Sequence, residues 1–239
     1  METMNLDQHI SQQFNADLEQ LRTDLLEMGG LVENQVANAV QALQDADANL
    51  AEQVLQIENE VNNREVSIDA ECTEILARRQ PAASDLRLVL SVTKAIRDLE
   101  RVGDEASKIA RMALELGDTD FAAKGYIEIR HLSTNVQKSL NAALDAFARF
   151  DVRSAIKVMQ DDRYIDREYK SAMREMVTQM MEDPRSISRV LNIIWALRSL
   201  ERIGDHSRNI AEHVIYLVRG TDVRHVSIKD IVKQLDEGK

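Results

Sequence analysis

Cysteine occurs once in the 239 residues, at Cys72, so no intrachain disulfide can form. Proline occurs twice, at Pro81 and Pro184, and glycine eight times. Residues that punctuate turns are therefore scarce. Aromatic residues make up 4% of the chain and include one Trp. These scarcities exclude a disulfide scaffold and favour long helices over sheet. No run approaches the ~20 apolar residues of a membrane-spanning helix, and the N-terminal string METMNLDQHISQQF has no apolar signal core. The chain reads as soluble and cytoplasmic. Basic charge is also in deficit: 30 Lys and Arg against 41 Asp and Glu give a net charge of −11. A nucleic-acid binder needs a basic face, so that class is disfavoured, as is simple docking on anionic lipid.

What is present is a repeated signature. RDLERVGDEASKI, Arg97–Ile109, returns almost intact as RSLERIGDHSRNI, Arg198–Ile210, at an offset of 101 residues. On a helical wheel, Val92, Ile96, Leu99, Val102, Ala106, Ile109 and Ala113 fall on one stripe, which predicts a core-facing amphipathic helix. Ile193, Leu197, Leu200, Ile203, Ile210, Val214 and Leu217 repeat it. Gly103 and Gly204 lie inside the two stripes, where glycine costs ~1 kcal/mol of helix propensity relative to alanine. Close approach of a neighbouring helix is the expected return.

The remaining pattern divides the chain in the same way. Apolar spacing predicts a helix over Leu6–Leu43, with Gly29–Gly30 as a candidate kink. Asp47 is expected to cap a second helix reaching Arg79, and Ser84 or Asp85 a third over Leu86–Leu116. Gly117–Lys124 reads as the midpoint loop. A fourth helix is expected over Tyr126–Phe150, a fifth capped by Asp151, and a sixth capped by Ser186 and stopped at Gly220. Both prolines precede the signature helix of their half. The prediction is an all-α protein of two tandem, pseudo-symmetric, antiparallel three-helix bundles, residues 1–118 and 119–220. A polar tail follows over 221–239, with a short weak helix over Ile228–Leu235.

Each signature places two carboxylates one turn apart on the shoulder of its apolar stripe: Glu100 with Asp104, and Glu201 with Asp205. Arg97 and Arg198 flank them, and Glu212 follows in the second copy. The preceding helices carry Glu58 with Asn62, and Asp162 with Asp166, at matching places in the repeat. Antiparallel packing would bring two acidic pairs together in each half. Oxygen-rich clusters suit hard cations such as Mg²⁺, Ca²⁺, Mn²⁺ or iron. The competing reading is a set of solvated faces with arginine partners. His206 and His213 are expected at the surface, away from the acids, and Cys72 as a small buried hydrophobe. A ferritin-type di-iron enzyme wants Glu-x-x-His on two helices, and only Glu128–His131 has that form. No nucleophile-and-base constellation and no glycine-rich phosphate loop is visible.

With the two signatures, the acidic pairs and RQPAASDLR (Arg79–Arg87) in view, the chain resembles the PhoU family of bacterial phosphate-signalling regulators from Asn5 to about His225. The resemblance implies two three-helix bundles and no catalytic activity. It implies a homodimeric cytoplasmic protein at the inner face of the membrane. Its partners there would be the ATPase of the phosphate ABC transporter (PstB-like) and a sensor histidine kinase (PhoR-like). The implied role is to hold the phosphate-starvation response off when phosphate is plentiful and to restrain uptake. The family's association with iron or zinc maps onto Glu100–Asp104, Glu201–Asp205 and Asp162–Asp166. The fourth place reads Glu58–Asn62, where a neutral amide is the poorer ligand; if only one metal site survives, it is expected in the second half. No cofactor is required; a divalent metal or iron cluster is what the acidic motifs could hold. The alternatives are a carboxylate-bridged metal-binding helical enzyme and a structural helical scaffold.

Overall fold

The computed structural model describes residues 12–117 and 127–237. Seven α-helices appear among them: α1 (Gln12–Asp45), α2 (Ala48–Arg79), α3 (Ala83–Leu116), α4 (Ile127–Arg149), α5 (Val152–Glu182), α6 (Ile187–Arg219) and α7 (Ile228–Glu237). A 3-10 turn, Pro184–Ser186, leads into α6. Part of the first helix expected from the pattern, Leu6–Ser11, lies outside the described residues, as does most of the midpoint loop.

The helix ends follow local chemistry. Asp47 accepts from the Leu50 amide, and Asp151 accepts from the amides of Arg153 and Ser154, satisfying donors that the first turn leaves open. Gly220 stops α6 in the left-handed conformation, its amide donating to the Tyr216 carbonyl. Two expected caps are corrected. α3 begins at Ala83 with no side-chain cap, and Asp85 lies buried in its first turn. Ser186 does not cap α6: its hydroxyl donates to the Asp183 carbonyl, and Asp183 instead accepts from the Arg185 amide. Pro184 at the start of the 3-10 turn has no amide proton to satisfy, so the chain turns there before α6 begins.

At 1.5 Å per residue the long helices reach about 50 Å. Connections of two or three residues between α1, α2 and α3 force antiparallel neighbours, as they do between α4 and α5. Helices α1, α2 and α3 pack against one another, and so do α4, α5 and α6. The two trios meet mainly where α3 crosses α6, with a second contact of α1 on α4. Along the α3–α6 seam the helices run antiparallel: Arg87 donates to the Leu217 carbonyl at one end, and Arg202 pairs with Glu105 further along. Both apolar stripes are buried, and each large side chain in them contributes roughly 1.5–3 kcal/mol.

The repeated glycines stand at close contacts, though with side chains rather than backbone. A Cβ on Gly103 would lie 3.0 Å from Gln35 Oε1 and 3.3 Å from Val61; one on Gly204 would lie 3.1 Å from Ile165. α1 runs as one helix through Gly29–Gly30, and Gly29 lets α4 approach, since a Cβ there would meet Leu144 at 2.8 Å. The tail is less detached than its polar composition suggests. α7 packs on α5, and Val223 and Ile231 join the core. No described helix is long and apolar enough to cross a membrane.

Candidate functional site

The acidic pairs of the second half converge. Carboxylate oxygens of Asp166 on α5 and of Glu201 and Asp205 on α6 lie within 4.8 Å of one another. The i, i+4 spacing puts Glu201 and Asp205 on one face, and antiparallel packing of α5 lays Asp166 against it. Gly204 permits that approach by leaving room for Ile165, next to Asp166 in sequence. Asp162, 3% exposed, lies one turn away and is held by Arg208 at 3.4 Å. Arg198 donates to Glu201 at 2.8 Å, the flanking partner that the sequence pointed to.

Electrostatics mark the cluster as crowded with negative charge. Burial pushes the Asp162 carboxyl up to about 6, with Asp166 and Asp205 adding to the rise and Arg208 opposing it. Burial and then Asp205 raise Glu201. Asp205, at the open edge, is raised by partial desolvation and by Asp166. A cation among these oxygens would relieve the repulsion. With no Cys or His among the three converging ligands, the donor set fits oxygen-preferring ions better than zinc.

The first half is built differently. Among the described residues Glu58, Glu100 and Asp104 do not form such a cluster. Glu58 pairs with Arg111 at 3.3 Å. Arg101, not Arg97, serves Glu100 and Asp104, at 3.4 and 3.5 Å. Glu100 is raised by burial and then by Asp104.

The histidines are where the structure departs most from expectation. His213 is 8% exposed and His206 is half-buried, so neither is a free surface residue. Asp98 on α3 gathers both across the seam: His206 Nδ1 lies 2.8 Å from Oδ1 and His213 Nε2 2.8 Å from Oδ2, while Asn209 donates to Oδ1 at 3.0 Å. Burial would raise Asp98, but these three bonds outweigh it and hold its carboxyl down at about 2. Glu105, 4% exposed, forms the matching ion centre, with Lys108 at 2.8 Å and Arg202 at 3.0 Å. The helical wheel alone misses this seam. The signal was in the signatures: the copies differ at Asp98/Ser199 and Glu105/His206, which meet across the seam.

Comparison with known proteins decides the family. The model of the PhoU domain matches twice, over residues 25–113 and 129–214. The chain belongs to the PhoU family. It is 61% identical over 235 residues to the phosphate-specific transport system accessory protein PhoU homolog of Pseudomonas aeruginosa, covering 98% of this chain and 97% of that one. It is 43% identical over 235 residues to the phosphate-specific transport system accessory protein PhoU of Escherichia coli K12, covering 98% of this chain and 97% of the relative. Its fold matches the crystal structure of PhoU from Pseudomonas aeruginosa, at a TM-score of 0.85 and 64% identity, over 87% of this chain and all of that chain (100%). It also matches the phosphate transport system regulatory protein PhoU from Streptococcus pneumoniae, at 0.82 and 30% identity, over 88% of this chain and 99% of that one. Each PhoU-domain match contains one signature, so the acidic cluster and the Asp98 and Glu105 centres lie within the family's own module.

Proposed function

We propose that this PhoU-family chain is a non-enzymatic negative regulator of the phosphate-starvation response that also restrains phosphate uptake. In this reading it acts in the cytoplasm, as a homodimer, and links the ATPase of the phosphate ABC transporter to the sensor histidine kinase. One observation carries it: similarity over nearly the whole chain, at 61% and 43% identity, to proteins named as accessory to phosphate-specific transport. The internal repeat fits that role, since α3 and α6 put one signature in each trio. The acidic cluster of Asp166, Glu201 and Asp205 is proposed as a divalent-cation or iron site that organises the α5–α6 face.

The test uses cells that lack the chain and carry a phosphate-starvation reporter, grown in phosphate-rich medium. The reporter is expected to be on, and to be silenced when the wild-type chain is returned. A reporter off in both strains overturns the regulatory reading. Returning the Glu201→Ala/Asp205→Ala variant, shown by circular dichroism to fold, separates the site from the function. A reporter that stays on places signalling on the acidic face, and a silenced one places it elsewhere.

A further inference from the structure

A cleft of about 710 Å³ opens beside the Asp98 and Glu105 centres, along the α3–α6 seam and under the connection that follows α6. Six Lys and Arg line it against three carboxylates: Arg101 and Lys108 from α3, Arg198, Arg202 and Arg208 from α6, and Arg224 from the connection. In a chain of net charge −11 the lining itself carries twice as many cations as acids. Concave surfaces concentrate such a field. The connection reaches the cleft because Val223 is anchored in the core beside Arg224.

The cations are not simply neutralised. Lys108 Nζ and Arg202 Nη1 share one oxygen of Glu105, at 2.8 and 3.0 Å, so one carboxylate serves two positive charges. Arg101 leans on Glu100 and Asp104, Arg198 on Glu201 and Arg224 on Asp222, acids that stand outside the lining, while Arg208 is held by Asp162 and by Glu212 of the lining. Arg101, Arg202 and Lys108 remain 64%, 49% and 45% exposed, so their remaining donors are within reach of a ligand. His206 commits Nδ1 to Asp98, which leaves its Nε2. Guanidinium groups present forks of donors that match phosphoryl oxygens.

We infer that this cleft binds a small polyanion of linked phosphoryl groups. Six cations from three segments exceed what one orthophosphate can contact. The lining holds no aliphatic, Phe, Tyr or Trp side chain, so a nucleotide base would find no apolar wall and only imidazole and guanidinium planes, the latter already engaged by carboxylates. An all-polar oligophosphate fits both facts. The acidic cluster borders the cleft at Asp205, but the inference needs no metal there.

The experiment is isothermal titration calorimetry on the full-length protein in buffer freed of divalent cations, with sodium tripolyphosphate as probe. Saturation at one tripolyphosphate per chain is expected, weakening as salt rises. Kd is expected to rise at least about tenfold in Arg202→Gln/Arg224→Gln. The single Arg224→Gln change, at an exposed side chain of the connection, is expected to weaken binding by roughly threefold. Arg78→Gln/Arg149→Gln removes the same charge from exposed arginines elsewhere and is expected to leave Kd unchanged. No saturable binding, or equal weakening in that control, overturns the site. Orthophosphate binding as tightly as tripolyphosphate overturns the linked-phosphate assignment, and ATP binding more tightly overturns the argument from the lining.

Discussion

His213 Nε2 lies 2.8 Å from Asp98 Oδ2, across the seam that joins the two helix trios. His206 and Asn209 bond the other oxygen of the same carboxylate. One α3 side chain thus holds three residues of α6. Replacing it as Asp98→Asn removes the charge and turns one of its two acceptor oxygens into an NH2 donor, and is expected to cost about 2–3 kcal/mol, read from urea unfolding at pH 7. The wild-type carboxyl sits at about 2, below its value of about 3.9 in an unfolded chain. Its stabilisation is therefore complete above pH 4 and lost as pH falls towards 2. Asp98→Asn should flatten that part of the stability profile; an unchanged profile would show that the bond does not stabilise the seam.

Asp162 should behave in the opposite sense. Its carboxyl is raised to about 6, so the folded protein holds more protons than the unfolded chain between about pH 4 and 6. Stability contributed by this group is present below pH 4 and falls as pH rises through 6. In metal-free protein, Asp162→Asn should remove that decline and raise stability at pH 7 by about 1–2 kcal/mol. Chemical denaturation across pH 4 to 8 reads the difference.

If Asp166, Glu201 and Asp205 hold a cation, Mn²⁺ should raise the melting temperature and a chelator should reverse it. Glu201→Ala/Asp205→Ala should abolish both effects. Glu100→Ala/Asp104→Ala should leave the stoichiometry near one ion per chain, because the first-half acids are spent on Arg101 and Glu58 on Arg111. Elemental analysis of dialysed protein gives the count.

The glycines offer a contrast in packing. Gly30 would place a Cβ in open space, so Gly30→Ala should stabilise by roughly 0.5–1 kcal/mol through helix propensity. Gly204→Ala would press on buried Ile165 at 3.1 Å. It should fall short of Gly30→Ala by about 1–3 kcal/mol. Equal melting temperatures for the two variants would mean that α5 yields without cost.

Asp151 accepts from two amides and from the Ser154 hydroxyl, the last at 2.7 Å. Asp151→Ala should cost about 1–2 kcal/mol and Asp47→Ala less, since Asp47 accepts from the Leu50 amide alone among the bonds seen. Thermal unfolding of the two variants checks the order.

Much of this was legible because it is local. Periodicity of three and four residues marked the buried stripes, Asp47 and Asp151 marked helix starts, and Gly220 marked a helix end. Where a cap depended on its surroundings, as at Ser186, the reading failed: Pro184 drew the hydroxyl into a turn instead. The acid pairs were visible as spacing within a helix, yet that spacing is the same in both halves. The sequence sets them apart at Asn62, which stands where the second half has Asp166, and packing completes the difference: α5 brings Asp166 to Glu201 and Asp205, whereas Arg101 and Arg111 pair with the first-half acids.

The histidines show the limit most clearly. A wheel reports which face of a helix is apolar, and by that measure His206 and His213 lie away from the acids and are expected at the surface. It cannot report that a second bundle covers that face with a carboxylate. The sequence by itself determined the helices, their order and the repeat, since these follow from backbone propensity and apolar period along one segment. The tertiary structure decided how closely the second-half acids converge, that His213 is buried and where cations gather into a cleft. Those are properties of side chains far apart in sequence, and their energies depend on distance and desolvation that only packing sets.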